Sequence, residues 1–166
     1  MKHEQQIILQ TTEKSLVSCA FTGHRDLGKD FSLKETSREI EKLILRGVTD
    51  FYNGMAMGFD LYAAEAVLKL KKKYPQIKLI ACIPFIGQES RFSDRDKRRY
   101  AKVYKAADEK VVLFPRYYNG CFLARDRYMA DKADSLVTYC RKETGGTAYT
   151  VRYFQKKYPE KEVVFL

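Results

Sequence analysis

The sequence predicts an α/β domain, a mostly parallel sheet of about six strands enclosed by helices on both faces. Three observations lead there. Short apolar runs alternate with segments of helical periodicity from Ser15 to Phe165. The first run, Leu16 to Phe21, is too short for a helix and apolar enough for a strand buried on both faces. Glycines gather directly behind them, at Gly23, Gly54, Gly58, Gly87, Gly145 and Gly146, where strand-to-helix turns belong. Repeated strand–helix–strand units imply right-handed crossovers, so the architecture expected is a single Rossmann-like, three-layer domain over 15–166.

Residues 1–14 read as an N-terminal extension with a short strand at Ile7–Leu9. The first strand of the domain is the run Leu16, Val17, Cys19, Ala20, Phe21, which passes abruptly into Thr22-Gly23-His24-Arg25. Ser32 and Glu35 have capping-box spacing and open a helix with Ile40, Leu43, Ile44 and Val48 on one face; Gly47 can end it. Asp50–Asn53 is the second strand, and a helix follows from Leu61 to Lys73, stopped by Tyr74-Pro75. Leu79–Ile83 is the third strand, ending at Pro84, and Gly87–Ser93 a polar loop. A charged helix near Asp94–Ala107 leads to a strand at Lys110–Phe114, then a helix at Phe122–Ala133 and a strand at Ser135–Tyr139. Thr144-Gly145-Gly146-Thr147 opens the last helix, which ends at Lys156-Lys157-Tyr158-Pro159 before a strand at Glu162–Phe165.

Composition narrows the function classes. The 166 residues are 45% hydrophobic and 31% charged, a soluble globular balance with room for one sizeable core. No apolar run approaches the roughly 20 residues of a membrane helix, and Met1–Lys14 lack a signal-peptide core, so a cytoplasmic protein without a membrane partner is expected. The four cysteines have no C-x-x-C spacing and read as reduced, buried or semi-buried thiols; with only two histidines, no metal site is expected. Lys and Arg outnumber Asp and Glu by 31 to 21, a net charge of +10 that favours anionic partners.

In open α/β sheets, ligands lie beyond the carboxyl ends of the strands, where strand order reverses. Several glycine loops at that edge point to a ligand site there. Gly145, Gly146 and Thr147 precede a helix whose free N–H groups and dipole attract phosphate; Thr147 as a plain N-cap is the alternative. Gly54, Gly58 and Asp60 have the same strand–glycine–helix context without a P-loop lysine; Asp60 either meets a ribose or caps its helix. Thr22, Gly23, His24 and Arg25 form one wall, with His24 able to exchange protons and Arg25 to grip phosphate. Of Arg125 and Arg127, two residues apart, one reaches the pocket while the other pairs with Asp126 or Asp131 or faces a partner chain. The cationic stretch Arg91–Lys102 is a solvated helix face or a polyanion site.

Thr22-Gly23-His24-Arg25, Gly54–Asp60, Ile83-Pro84-Phe85 with Gln88, Ala124–Arg127 with Met129, and Gly145-Gly146-Thr147 occur in the order seen in YpsA-like proteins, so the chain resembles that family of the SLOG superfamily from Ser15 to Phe165. The resemblance implies a nucleotide or nucleotide-derived ligand, such as an ADP-ribose-like compound, at the glycine-rich edge. More distant SLOG relatives include the LOG phosphoribohydrolases and the DNA-processing protein DprA. The LOG motif P-G-G-x-G-T-x-x-E carries a glutamate that acts at the ribose, and Thr150 stands in its place here. The leading expectation is therefore a sensor or regulatory module that binds a nucleotide-like anion; no cofactor is fixed by the residues, and a homodimer is an open alternative. The second is a nucleotide N-glycosidic hydrolase in which His24 or Asp60 supplies acid or base. The third is nucleic-acid binding through Arg91–Lys102.

Overall fold

The computed structural model describes residues 16–166; the extension at 1–14, with its expected strand at Ile7–Leu9, lies outside the described residues. Six strands, β1 (Ser18–Gly23), β2 (Asp50–Asn53), β3 (Lys78–Phe85), β4 (Glu109–Phe114), β5 (Ser135–Tyr139) and β6 (Glu162–Phe165), form one sheet in the order β4-β3-β2-β1-β5-β6. Every adjacent pair is parallel. Five helices connect them: α1 (Leu33–Leu45), α2 (Phe59–Lys71), α3 (Asp94–Ala106), α4 (Cys121–Lys132) and α5 (Gly146–Lys157). None of these helices is long and apolar enough to cross a membrane. This is the Rossmann-like, three-layer arrangement expected.

Strand periodicity divides the core. Cys19, Phe21, Phe51 and Leu79 point to one face, where they pack with Ile40, Leu43, Leu61, Ala64, Val67 and Val103 of α1, α2 and α3. Ala20, Ile80, Cys82 and Leu136 point to the other, against Met129 and Ala130 of α4 and Val151 and Phe154 of α5. Cys19, Cys82 and Cys121 are buried free thiols and Cys140 is partly exposed.

Local signals mostly hold. Ser32 caps α1 by accepting from the Glu35 N–H at 3.1 Å. Val48 lies beyond the end of α1 rather than on its face, yet it is buried, its N–H donating to the Leu43 carbonyl at 3.0 Å. Strand β3 runs two residues past Ile83, through Pro84, because β2 pairs with it only as far as Ala81 and needs no donor from the proline. The polar loop after it contains a 3₁₀ turn at Gln88–Arg91.

Candidate functional site

The chain runs outward from β1 through β2 and β3 to β4, then crosses back to place β5 on the other side of β1. Strand order therefore reverses at β1 and β5, which end side by side with Gly23 opposite Tyr139. A cleft of about 330 Å³ opens beyond these ends. Thr22, Gly23, His24 and Arg25 line it from β1 and its loop, Asp60 from α2, Arg125 from α4, and Gly145, Gly146 and Thr147 from the start of α5. Thr144 of the Thr144–Thr147 segment and Ala56 of the Gly54–Asp60 motif line it as well; Phe122, Leu123 and Lys142 carry no ligand signal in the sequence, which points to Asp126 only as an ion-pair partner, yet all four line it. Gly54, Gly58 and Arg127, by contrast, do not.

Each of those three acts from behind. The Gly54 carbonyl accepts from Arg125 Nη1 and, at 3.1 Å, from Gln88 Nε2. Gly58 has φ +81°, and a Cβ there would run into the backbone of Arg25. Arg127 turns to the α4–α5 surface, where Nη1 donates to the Tyr149 hydroxyl at 3.1 Å.

The β1 loop is held from both sides. Its His24 carbonyl accepts from the Phe59 N–H at 3.1 Å, and Phe59 is wholly buried beneath Gly23. The Tyr139 hydroxyl donates to Asp30 at 2.8 Å and accepts from the Gly28 N–H at 3.0 Å, while Arg141 donates to the other Asp30 oxygen at 2.6 Å. His24 closes the gap between the two loops, its Nε2 accepting from the Arg141 N–H at 2.7 Å. That bond requires an unprotonated Nε2. Partial burial, followed by the nearby Lys142 and Arg141 charges, lowers the His24 pKa below 6.5.

Beneath the cleft lies a buried polar network. Arg125 is only 4% exposed; its Nε donates to Asp126 at 2.7 Å. Burial opposes its charge, but the Asp126 and Asp60 carboxylates outweigh that and raise its pKa. Asp126 in turn lies 3.2 Å from the Thr150 hydroxyl, which is also 2.8 Å from the Gly146 carbonyl. Asp60, 5% exposed, accepts at Oδ2 from the Ala56 N–H at 3.3 Å, and its own carbonyl accepts from Asn53 at 2.8 Å. It does not cap α2: Gly58 occupies the cap position and Asp60 sits in the first turn. Its Oδ1 is buried without a hydrogen-bond partner. Burial pushes its pKa up to about 7, against the pull of Arg125 and Arg25 and with the help of Asp126. A carboxyl so placed can donate or accept a hydrogen bond near neutral pH.

Helix α5 starts without a side-chain cap, since Gly145 (φ +96°) is the cap residue and Thr147 is already inside the helix. Its cap and first-turn residues Gly145, Gly146 and Thr147 line the cleft together with Lys142, and a helix start beside a cation suits an anion. Met55, buried at φ 60°, is the one described non-glycine residue with positive φ, and its N–H donates to Asn53 Oδ1 at 2.8 Å.

A family model, YpsA, described as the YspA SLOG family, matches residues 24–165. Among curated proteins the chain is 31% identical over 137 residues to a UPF0398 protein of Halalkalibacterium halodurans, covering 81% of this chain and 72% of that one. To the UPF0398 protein YpsA of Bacillus subtilis it is 30% identical over 104 residues, covering 61% and 58% respectively. Two solved structures share the fold at 20% identity and 90% coverage of this chain. DNA processing protein A (DprA) of Streptococcus pneumoniae matches with TM-score 0.65 over 50% of its length. The DprA of Helicobacter pylori, described in a single-stranded DNA binding mode, matches with TM-score 0.64 over 65% of its length. The chain thus spans half to two-thirds of most of these relatives.

Proposed function

The chain belongs to the YspA SLOG family, and on that footing we propose that its cleft binds a nucleotide or nucleotide-derived anion as a sensor or regulatory module. Phosphate sits on the N–H groups of Gly145, Gly146 and Thr147, with Lys142 and Arg25 supplying positive charge. The ribose lies toward Asp60, whose free Oδ1 is available to a hydroxyl. The observation that carries this reading is the meeting of an uncapped helix start and an orphaned buried carboxyl in one cleft at the strand-order reversal. The single-stranded DNA bound by the H. pylori DprA is a phosphate–deoxyribose polymer carrying bases, which agrees with the coarser form of the proposal, a nucleotide-like anion. Calorimetric titration with AMP and ADP-ribose tests it. Saturable binding that Gly146→Glu abolishes is expected; no heat from the wild type, or the same response from the variant, counts against it.

One observation favours a second reading, N-glycosidic hydrolysis. Thr150 replaces the LOG glutamate, but its hydroxyl touches the Asp126 carboxylate, so the cleft still holds an acid beside the phosphate cradle. Incubation with nucleoside monophosphates should then release free base, and Asp126→Asn should stop it; no base from the wild type removes this reading.

A further inference from the structure

A second chamber, of about 460 Å³, opens beside the cleft and shares Arg25, Ala56 and Phe122 with it. Either volume falls within the range of about 300–1,000 Å³ usual for small-molecule sites. Their chemistries differ. The first holds the two carboxylates and the uncapped helix start; the second holds no carboxylate and is walled by Phe85, Phe92, Tyr117 and Met57, with Gln88, Ser90 and the cationic Arg91 as polar groups. Phe85 stands edge-on to Tyr117 at 5.6 Å and to Phe122 at 5.8 Å, so three rings brace one another around the opening. The partition is itself a sandwich, with the Arg25 guanidinium 5.2 Å from the Phe122 ring centre. One backbone atom ties the chambers: the Gly54 carbonyl takes Arg125 from the first side and Gln88 from the second.

We infer that the second chamber is the subsite for the aromatic base of the same ligand, which makes that ligand a nucleotide rather than a sugar phosphate or inorganic phosphate. This rests on the proposed phosphate site. The phosphate lies at the start of α5, the sugar passes the Arg25–Phe122 partition, and the base stacks on Tyr117 with Phe85 against its edge and Gln88 and Ser90 within the same chamber. Aromatic walls with few polar groups suit a planar heterocycle, and the shared residues make the two chambers one continuous path.

Calorimetric titration of the full chain with ribose 5-phosphate, AMP and UMP separates the two claims. At least one nucleotide is expected to bind about ten-fold or more tightly than ribose 5-phosphate, the ratio that stacking of one base supplies. Tyr117→Ala, at an exposed loop position, should bring the nucleotide down toward the ribose 5-phosphate value and leave ribose 5-phosphate unchanged. Tyr117→Phe should bind as the wild type. Ribose 5-phosphate bound as tightly as either nucleotide, or weakened equally by Tyr117→Ala, would overturn the base subsite and leave the phosphate site standing. No binding of any of the three would overturn both.

Discussion

Thr150 places its hydroxyl 3.2 Å from Oδ2 of Asp126, joining α5 to α4 at the wall of the cleft, while Oδ1 of the same carboxylate accepts from the buried Arg125. Asp126 is therefore the partner that keeps an interior guanidinium tolerable. Removing one member of a buried pair costs about 3–5 kcal/mol, because the survivor stays charged in a poor solvent. Loss of a single neutral donor costs about 1 kcal/mol. Asp126→Ala should accordingly destabilise the protein several-fold more than Thr150→Val in urea unfolding. Equal midpoints for the two variants would show that Arg125 finds other solvation.

Asp60 makes stability depend on pH in the direction opposite to most carboxylates. Its folded pKa is raised from 3.8 to about 7, so the native state holds the proton more tightly than the unfolded chain. The stabilisation is present below about pH 4 and is lost as pH rises toward 7. Asp60→Asn removes the titration. Compared at pH 4 and pH 8, the wild type should lose stability relative to this variant by an amount on the order of 4 kcal/mol. A constant difference across that range would mean that Arg125 and Arg25 keep the carboxyl ionised throughout, against burial and Asp126.

His24 acts in the other sense. Its folded pKa lies below 6.5, so its contribution is present above that value and is lost as pH falls through the folded pKa. Protonating Nε2 breaks the bond from the Arg141 N–H, which joins the β1 and β5 loops. An NMR titration should find the His24 midpoint under 6.5, with amide exchange at Arg141 accelerating in the same step. A midpoint above 6.5 would contradict the arrangement. The same bond bears on hydrolysis: the Nε2 lone pair is already engaged, and Asp126 is held by Arg125 and Thr150, so Asp60, with its unpartnered Oδ1, is the carboxyl left free of a partner.

The sheet was legible because short strand-like segments rich in apolar residues alternate with helical periodicity; Phe21, Phe51 and Leu79 announce a buried face wherever they stand. Strand order was not, since the return of the chain from β4 to β5 depends on which face α4 can cover, a matter of packing across the whole domain. Helix starts misled where glycine replaces a polar cap. Gly58 and Gly145 hold the cap positions of α2 and α5, so Asp60 and Thr147 lie two residues past the cap, inside the first turn. Arg125 had no local signal for burial, because arginine is rarely interior unless a partner from the same helix and a carbonyl from a distant strand end wait for it. Phe85, Tyr117 and Phe122 belong to a strand end, a loop and a helix start, and only their convergence in the fold brings the three rings together.

Gly58 provides a test of how far the cleft depends on loop geometry. Both Gly58 and Gly87 have positive φ, +81° and +91°, so an alanine at either is strained by about 1–3 kcal/mol. Their surroundings differ. Nothing lies within 4 Å of a Cβ at Gly87, whereas one at Gly58 meets the carbonyl group of Arg25. Gly87→Ala should therefore lower the melting temperature by a few degrees and leave ligand affinity intact. Gly58→Ala should lower it further and also weaken AMP binding, because the Arg25 backbone must shift and Arg25 walls both chambers. Thermal melts and titrations of the two variants side by side decide the point. If Gly58→Ala binds AMP as the wild type does, the position of Arg25 is immaterial to recognition and its place in the site falls.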